Sequence, residues 1–103
     1  MEFDWDPVKA EKNRQKHGVS FEEAKTVYEP QKPVFLEDRE HSEAEDRYYA
    51  IGYSDKGRLL TVCFAYSGPL IRIVNARKAT KREAETYVKE IRKRQIEELG
   101  GEL

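Results

Sequence analysis

The sequence predicts a single two-layer α+β domain, with helices packed on an antiparallel sheet in the order β-α-α-β-β-β-β-α. Three observations carry this expectation. Between residues 47 and 78, runs rich in Tyr, Ile, Val and Leu alternate with the turn signals Ser54-Asp55-Lys56-Gly57 and Ser67-Gly68-Pro69, which is the pattern of a consecutive meander. Two helix starts are written as Ser20-Phe21-Glu22-Glu23 and Thr80-Lys81-Arg82-Glu83, where a hydroxyl and a glutamate three residues on satisfy the first turn's orphan amides. Finally, a length of 103 residues fits one domain and leaves little room for a second. Residues 1–103 are therefore read as one unit, with 100–103 a disordered tail.

The elements follow in order. Phe3 and Trp5 alternate with Glu2, Asp4 and Asp6, as in a short half-buried strand. Asp6-Pro7 opens a helix, with Asp as N-cap and Pro where its missing N–H costs nothing. Gly18 closes it as a left-handed C-cap. That helix is polar, so its anchors are expected to be Val8, Ala10 and the stems of long side chains. Phe21, Ala24, Val27 and Tyr28 lie at helical spacing after Ser20. Pro30 and Pro33 then break the chain before Val34-Phe35-Leu36, and residues 37–46 read as an acidic loop. Strands are expected at 47–53, 58–66 and 70–77. A long helix follows Thr80, with an apolar stripe of Ala84, Tyr87, Val88, Ile91, Gln95 and Leu99.

Composition removes several classes. No apolar run approaches the ~20 residues of a membrane span, and the acidic start Met1-Glu2-Phe3-Asp4 does not read as a signal peptide. Cys63 is the one cysteine; it permits no internal disulfide or Cys-pair zinc site and suits a reducing cytoplasm. In mid-strand it reads as a small apolar filler. His41 sits among acids in the 37–46 segment, which reads as a solvated loop rather than a cation site. The formal net charge of −1 conceals segregation. Residues 28–55 are dominated by Glu and Asp, and residues 72–94 by Arg and Lys. Such asymmetry either solvates a loop and a helix or faces an anionic partner.

Phosphate-loop and dinucleotide patterns are absent, which leaves phosphate handling by Arg, Lys, His and Tyr. Regular alternation on the last strand places Ile71, Ile73, Asn75 and Arg77 on one face, and Leu70, Arg72, Val74 and Ala76 on the other. Arg72, between two apolar residues, is either a bidentate phosphate ligand or the partner of a carboxylate such as Asp46. His17 ends the first helix, where the macrodipole favours a cation. It is equally the one acid/base of near-neutral character in an ordered position. Lys16 beside it either tunes it or contacts phosphate.

Several phrases, in order, resemble the BrnT toxins. They are Phe3-Asp4-Trp5-Asp6-Pro7 with Lys9-Ala10 and Asn13, Lys16-His17-Gly18-Val19-Ser20-Phe21-Glu22-Glu23-Ala24, Asp46-Arg47-Tyr48, Ile51-Gly52-Tyr53-Ser54, Gly57-Arg58-Leu59-Leu60, and Ile71-Arg72-Ile73-Val74-Asn75-Ala76-Arg77-Lys78-Ala79. Glu83 and Tyr87 complete the set. The resemblance spans residues 3–88. It implies a RelE-like fold and a type II toxin that cleaves RNA to block translation. It implies a metal-independent endoribonuclease that leaves a 2′,3′-cyclic phosphate, with no cofactor. The implied partner is a BrnA-type ribbon-helix-helix antitoxin in a heterotetramer that meets promoter DNA only through the antitoxin, with no membrane role.

On this resemblance, His17, Arg72 and Arg77 are the expected catalytic residues, and Lys16, Arg58, Lys78 and Tyr87 the expected RNA or phosphate contacts. Tyr87 also belongs to the apolar stripe of its helix, so a core role stands beside that one. The acidic 37–46 segment is expected to lie over the basic face or against basic antitoxin residues. One position departs from the family pattern. Ser67 stands where an Arg is usual, just before the last hairpin turn. An alternative follows, in which the chain is a catalytically degenerate module that binds an antitoxin in a DNA-bound, autorepressing complex. On that alternative, what decides is whether Lys56, Arg58 or Lys78 reaches the vacated place.

Overall fold

The computed structural model describes residues 1–30, 32–38 and 46–100. Its elements are β1 (Phe3–Asp4), α1 (Pro7–His17), α2 (Phe21–Ala24) running into a 3-10 turn (Lys25–Tyr28), β2 (Val34–Asp38), β3 (Arg47–Tyr53), β4 (Leu59–Ser67), β5 (Leu70–Lys78) and α3 (Lys81–Glu98). The chain is a single α+β domain with the expected element order. The sheet order is β1-β5-β4-β3-β2. The meander β2 to β5 is antiparallel, but β1 joins β5 in parallel, with Phe3 opposite Ile71 and Asp4 opposite Arg72. A short parallel edge strand thus amends the all-antiparallel expectation. Its partner lies at the far end of the chain, where hairpin logic cannot reach.

The helices divide between the two faces of the sheet. Val19, Phe21, Ala24, Val27 and Tyr28 pack on Ala50, Leu60, Val62, Phe64, Ile71, Ile73 and Ala76. On the other face, Tyr87 and Ile91 of α3 pack on Val34, Ile51 and Leu59. Alternate residues of each strand thereby enter different cores, as the period of two requires. Burying a residue such as Phe21 or Phe64 completely is worth about 1.5–3 kcal/mol relative to leaving it exposed.

Local chemistry explains the boundaries. The Asp6 carboxylate accepts from Val8 N–H, Pro7 occupies the first turn, and Gly18 ends α1 at φ 68° with its N–H on the Arg14 carbonyl. The expected anchor Val8 is 62% exposed, however. The one buried residue of α1 is Asn13, for reasons given below. Ser20 caps α2 by accepting from Glu23 N–H, but the Glu23 carboxylate does not return to Ser20. It turns into the domain to meet Ser54 and Arg58, because that ion pair satisfies a buried carboxylate better than one amide would. Thr80 and Glu83 form the full reciprocal box. Along α3, Val88 and Leu99 face outward at 46% and 66% exposure. The helix packs mainly on β2 and β3, and its buried stripe is correspondingly narrow. Gly52 is required by space, since a Cβ there would lie 3.2 Å from Pro33 Cβ and from the Val27 carbonyl oxygen.

The segment 39–45, with His41, Glu40, Glu43 and Glu45, lies outside the described residues, as do residues 101–103 of the expected tail. Glu37 and Asp38, expected in the loop, belong to β2.

Candidate functional site

The site is organised by one irregularity. Cys63 pairs with Asn75 and Phe64 with Ile73, so β5 spends an extra residue, Val74, against β4. Such a bulge reverses the alternation beyond it. Thr61, Cys63 and Ala65 share one face of β4, and their partners Arg77, Asn75 and Arg72 therefore share that face as well. The sequence-based assignment of Arg72 and Arg77 to opposite faces is corrected by this one residue. Ala76 moves into the core with Ile71 and Ile73, and Asn75 moves out of it. Tyr49, opposite Cys63 in β3, lies on the Arg72–Arg77 face. At its far end Arg47 and Arg72 line one depression with Asp4, Asp6 and Lys9.

Both arginines are held by carboxylates. Arg77 presents Nη1 and Nη2 to the two oxygens of Glu83, at 2.7 and 2.9 Å. Glu83 is itself fixed by the Thr61 hydroxyl at 2.9 Å and the Thr80 N–H at 2.8 Å. Burial pushes the Glu83 carboxyl up, but the hydrogen bonds from Arg77, Thr80 and Thr61 outweigh it and hold the pKa at about 2. The Glu83 partner likewise raises Arg77 above its ordinary value, so this pair is ionised at neutral pH. Arg72 gives Nε and Nη2 to one Asp4 oxygen, at 3.2 and 2.9 Å. Its partner is thus Asp4 of the parallel edge strand and not Asp46. The Asp4 pair is half exposed and the Glu83 pair more enclosed.

α1 runs beside the edge of β5 that β1 leaves uncovered. The Asn13 amide donates to the carbonyls of Ala76 and Val19 at 2.8 and 2.9 Å, and its oxygen accepts from Ala76 N–H at 3.1 Å. One side chain thereby substitutes for a neighbouring strand at Ala76. This places Lys9, Lys12, Lys16 and His17 along a groove whose other wall is Val74 and Asn75. His17, half-buried, and Lys16 are thus brought beside Asn75, on the strand that carries both arginines.

Three expected residues are placed elsewhere. Arg58 forms a two-pronged ion pair with the buried Glu23 and donates to the Gly18 carbonyl at 3.0 Å. Its geometry ties the β3–β4 turn to α2. Lys78 sits opposite Leu60 at the end of β5, on the face away from Arg77. Tyr87 packs in the α3 core, edge-on to Tyr53 at 5.6 Å. Ser67 ends β4 opposite Leu70, on the arginine face. Lys56 and Arg58 precede the start of β4, and nine strand residues span about 30 Å. Neither they nor Lys78, opposite Leu60, reaches the Ser67 end; among the described residues, Arg72, opposite Ala65, is the arginine that the register places toward it.

Sequence reasoning gave no site role to Asn13, Arg47, Tyr49, Lys9 or Lys12. Asn13 carried a usable signal, as Asn is a poor helix-interior residue unless its amide is engaged. Among the described residues, no group of three or more His, Cys, Asp and Glu side chains could hold a metal ion. No helix among them is long and apolar enough to cross a membrane.

Comparison with known proteins bears on the family and the fold. Residues 5–83 match the family model described as the ribonuclease toxin, BrnT, of type II toxin–antitoxin systems. The crystal structure of the Brucella abortus ribonuclease toxin, BrnT, superposes with a TM-score of 0.58 at 24% identity, covering 79% of this chain and 99% of that one; this likeness concerns the fold. No curated protein matches the chain.

Proposed function

Because the chain belongs to the BrnT family of ribonuclease toxins of type II toxin–antitoxin systems, we propose that it cleaves RNA on the Arg72–Arg77 face of its sheet. The observation that carries this reading is the bulge at Val74, which sets Arg72, Asn75 and Arg77 on one surface beside the His17 groove. In the proposed reaction the ribose 2′-oxygen attacks the adjacent phosphorus while a base takes its proton. The bond from phosphorus to the 5′-oxygen breaks, and that oxygen takes up a proton. The products are a 2′,3′-cyclic phosphate and a 5′-hydroxyl, and the scheme needs no metal.

Charge accumulates on the phosphoryl oxygens along this path. Fixed guanidinium donors aimed there stabilise the transition state more than the ground state. Arg77, anchored through Glu83 to Thr61 and Thr80, is such a donor; Arg72 is a second. His17 is the proton-transfer group and Lys16 a phosphate contact. Arg58 and Tyr87, engaged in ion pairing and packing, serve the scaffold. The toxin family implies an antitoxin partner; a BrnA-type ribbon-helix-helix protein, in a heterotetramer that meets promoter DNA through it, is the assembly proposed here.

Induced expression in a bacterial host tests the reading. The chain is expected to arrest growth with RNA cleavage, and Arg77→Gln, which keeps hydrogen bonding to Glu83, to lower cleavage about 100- to 1000-fold. Toxicity undiminished in that variant overturns the assignment of Arg77. A second reading rests on Ser67: without a cation from Lys56, Arg58 or Lys78 at that end, the chain acts as an antitoxin-binding module without catalysis. Normal growth with folded protein that still captures antitoxin is its expected signature.

A further inference from the structure

Two sets of cations among the described residues contrast. Arg58, Arg72 and Arg77 each meet a carboxylate. On the outer side of α1, Arg14 meets Glu11. Lys9, Lys12, Lys16 and His17 have no hydrogen-bond or ion-pair partner among the described residues, yet they line a single groove along the β5 edge. At 1.5 Å rise per residue, Lys9 and Lys16 are about 10 Å apart along the helix, with Lys12 between them. Lys9 and Val74 also line the depression that holds Arg47 and Arg72 together with Asp4 and Asp6. The groove therefore continues past the end of β1 onto the arginine face.

A row of uncompensated ammonium groups, evenly spaced on one side of a helix, suits a chain of phosphates better than a single anion. Its opposite wall presents the Asn75 side chain and the β5 edge rather than carboxylates. We propose that this groove is an RNA-backbone track. In it, Lys9 and Lys12 bind the phosphates of the strand that leads to the scissile bond, and Lys9 marks where the strand turns onto the sheet. The inference rests on the ribonuclease reading for its direction but predicts RNA binding independently of cleavage.

The test uses the purified full chain and a fluorescein-labelled, fully 2′-O-methylated oligoribonucleotide, which lacks the attacking hydroxyl. Affinity is read by anisotropy over a salt series. Lys9→Gln with Lys12→Gln is expected to reduce the magnitude of the log–log salt slope by about 1.4, or about 25-fold in affinity at 0.1 M salt. The charge-matched control Lys89→Gln with Lys93→Gln, on α3, retains the original slope and affinity. Far-UV circular dichroism verifies that both variants are folded. An unchanged slope in the Lys9/Lys12 variant overturns the track, as does an equal loss in the control, which would mark a general charge effect. If RNA affinity holds but capture of a purified antitoxin weakens, the groove belongs to a protein partner, and the proposal fails. If the slope falls as expected while the unmodified chain cleaves no RNA, the track stands and the ribonuclease reading is what fails.

Discussion

Replacing Asn13 with Ala removes one exposed-looking polar residue from a polar helix, yet it should be among the most damaging single changes available. The side chain is 7% exposed and closes three hydrogen bonds, to Val19 O, Ala76 O and Ala76 N–H. Truncation strands all three backbone groups where water reaches them poorly. A buried group left unsatisfied costs about 1–3 kcal/mol, and partial relaxation lets some recover, so a loss of about 3–5 kcal/mol is expected. Against a total stability of about 5–15 kcal/mol for a domain of this kind, that is a large fraction. At about 4–8 °C per kcal/mol, Tm should fall by roughly 12–40 °C. Urea unfolding followed by far-UV circular dichroism and Trp5 fluorescence checks this. With an m-value of about 1–3 kcal/mol/M, the midpoint should drop by about 1–5 M. Asn13→Asp sharpens the test, because it keeps the acceptor for Ala76 N–H but turns a carboxylate oxygen toward two carbonyls. It should be at least as destabilising at neutral pH and should recover partly as acid protonates the carboxyl. A cost below about 1 kcal/mol for Asn13→Ala, or an Asp variant as stable as the parent at neutral pH, would refute the edge-pairing argument. Solvent would then be satisfying β5, with α1 held by Ala10 and its neighbours.

Two further outcomes follow from the geometry. Glu83 has a folded-state pKa of about 2, below the ordinary 4.5. The stability it contributes is therefore fully present above about pH 4.5 and is lost as pH falls toward 2. Urea midpoints over that range should show the loss, and Glu83→Gln should flatten it, with Glu23 (also lowered, chiefly by Arg58) retaining part of the slope; an unaltered acid limb in Glu83→Gln refutes the assignment. Tyr87→Phe should leave both the urea midpoint and RNA cleavage unchanged, since the ring packs against Val34 and Ile51, whereas Tyr87→Ala should cost about 3–5 kcal/mol. Loss of cleavage in a fully stable Tyr87→Phe protein would return the hydroxyl to the reaction.

The residues that announce elements in this chain do so through local chemistry, and those signals are reliable. Asp6-Pro7, Gly18 and Thr80 with Glu83 act within one helical turn, and Gly57 and Gly68, both at positive φ, act within one hairpin. Tertiary pairing is another matter. Glu23 satisfies the same local pattern as Glu83, but Arg58 outcompetes the Ser20 amide for its buried carboxylate. The partner of Phe3 and Asp4 lies nearly seventy residues away in β5, and no period of two can reveal it. The bulge at Val74 is similarly silent, because a regular alternation and a bulged one read alike until the register with β4 is known. One inserted residue moves Asn75 out of the core, moves Ala76 in, and brings two arginines five positions apart onto one surface. His17, Lys16, Arg72 and Arg77 were legible as candidates, whereas the way the fold arranges them was not.

That arrangement also distinguishes the two arginines in the proposed reaction. A guanidinium has five N–H donors. Arg77 meets Glu83 end-on through Nη1 and Nη2, and Nη1 also approaches the Lys78 carbonyl at 3.4 Å. Its side edge, Nε with the second Nη2 proton, is not used by any described contact. A phosphate can accept from that edge without displacing Glu83, so Arg77 can bind while its anchor stays in place. Arg72 has committed the equivalent Nε–Nη2 edge to Asp4. It must therefore surrender Asp4 or offer its remaining Nη1 side. Asp4 sits on a two-residue edge strand, and its ion pair is half exposed, where such pairs contribute about 0–1 kcal/mol. The exchange of Asp4 for a phosphate oxygen is consequently inexpensive, while exchange of Glu83 would undo the helix cap and the Thr61 bond together. In the proposed reaction Arg77 would thus be the preorganised donor of the pair, and Arg72 the one that adapts to an arriving strand.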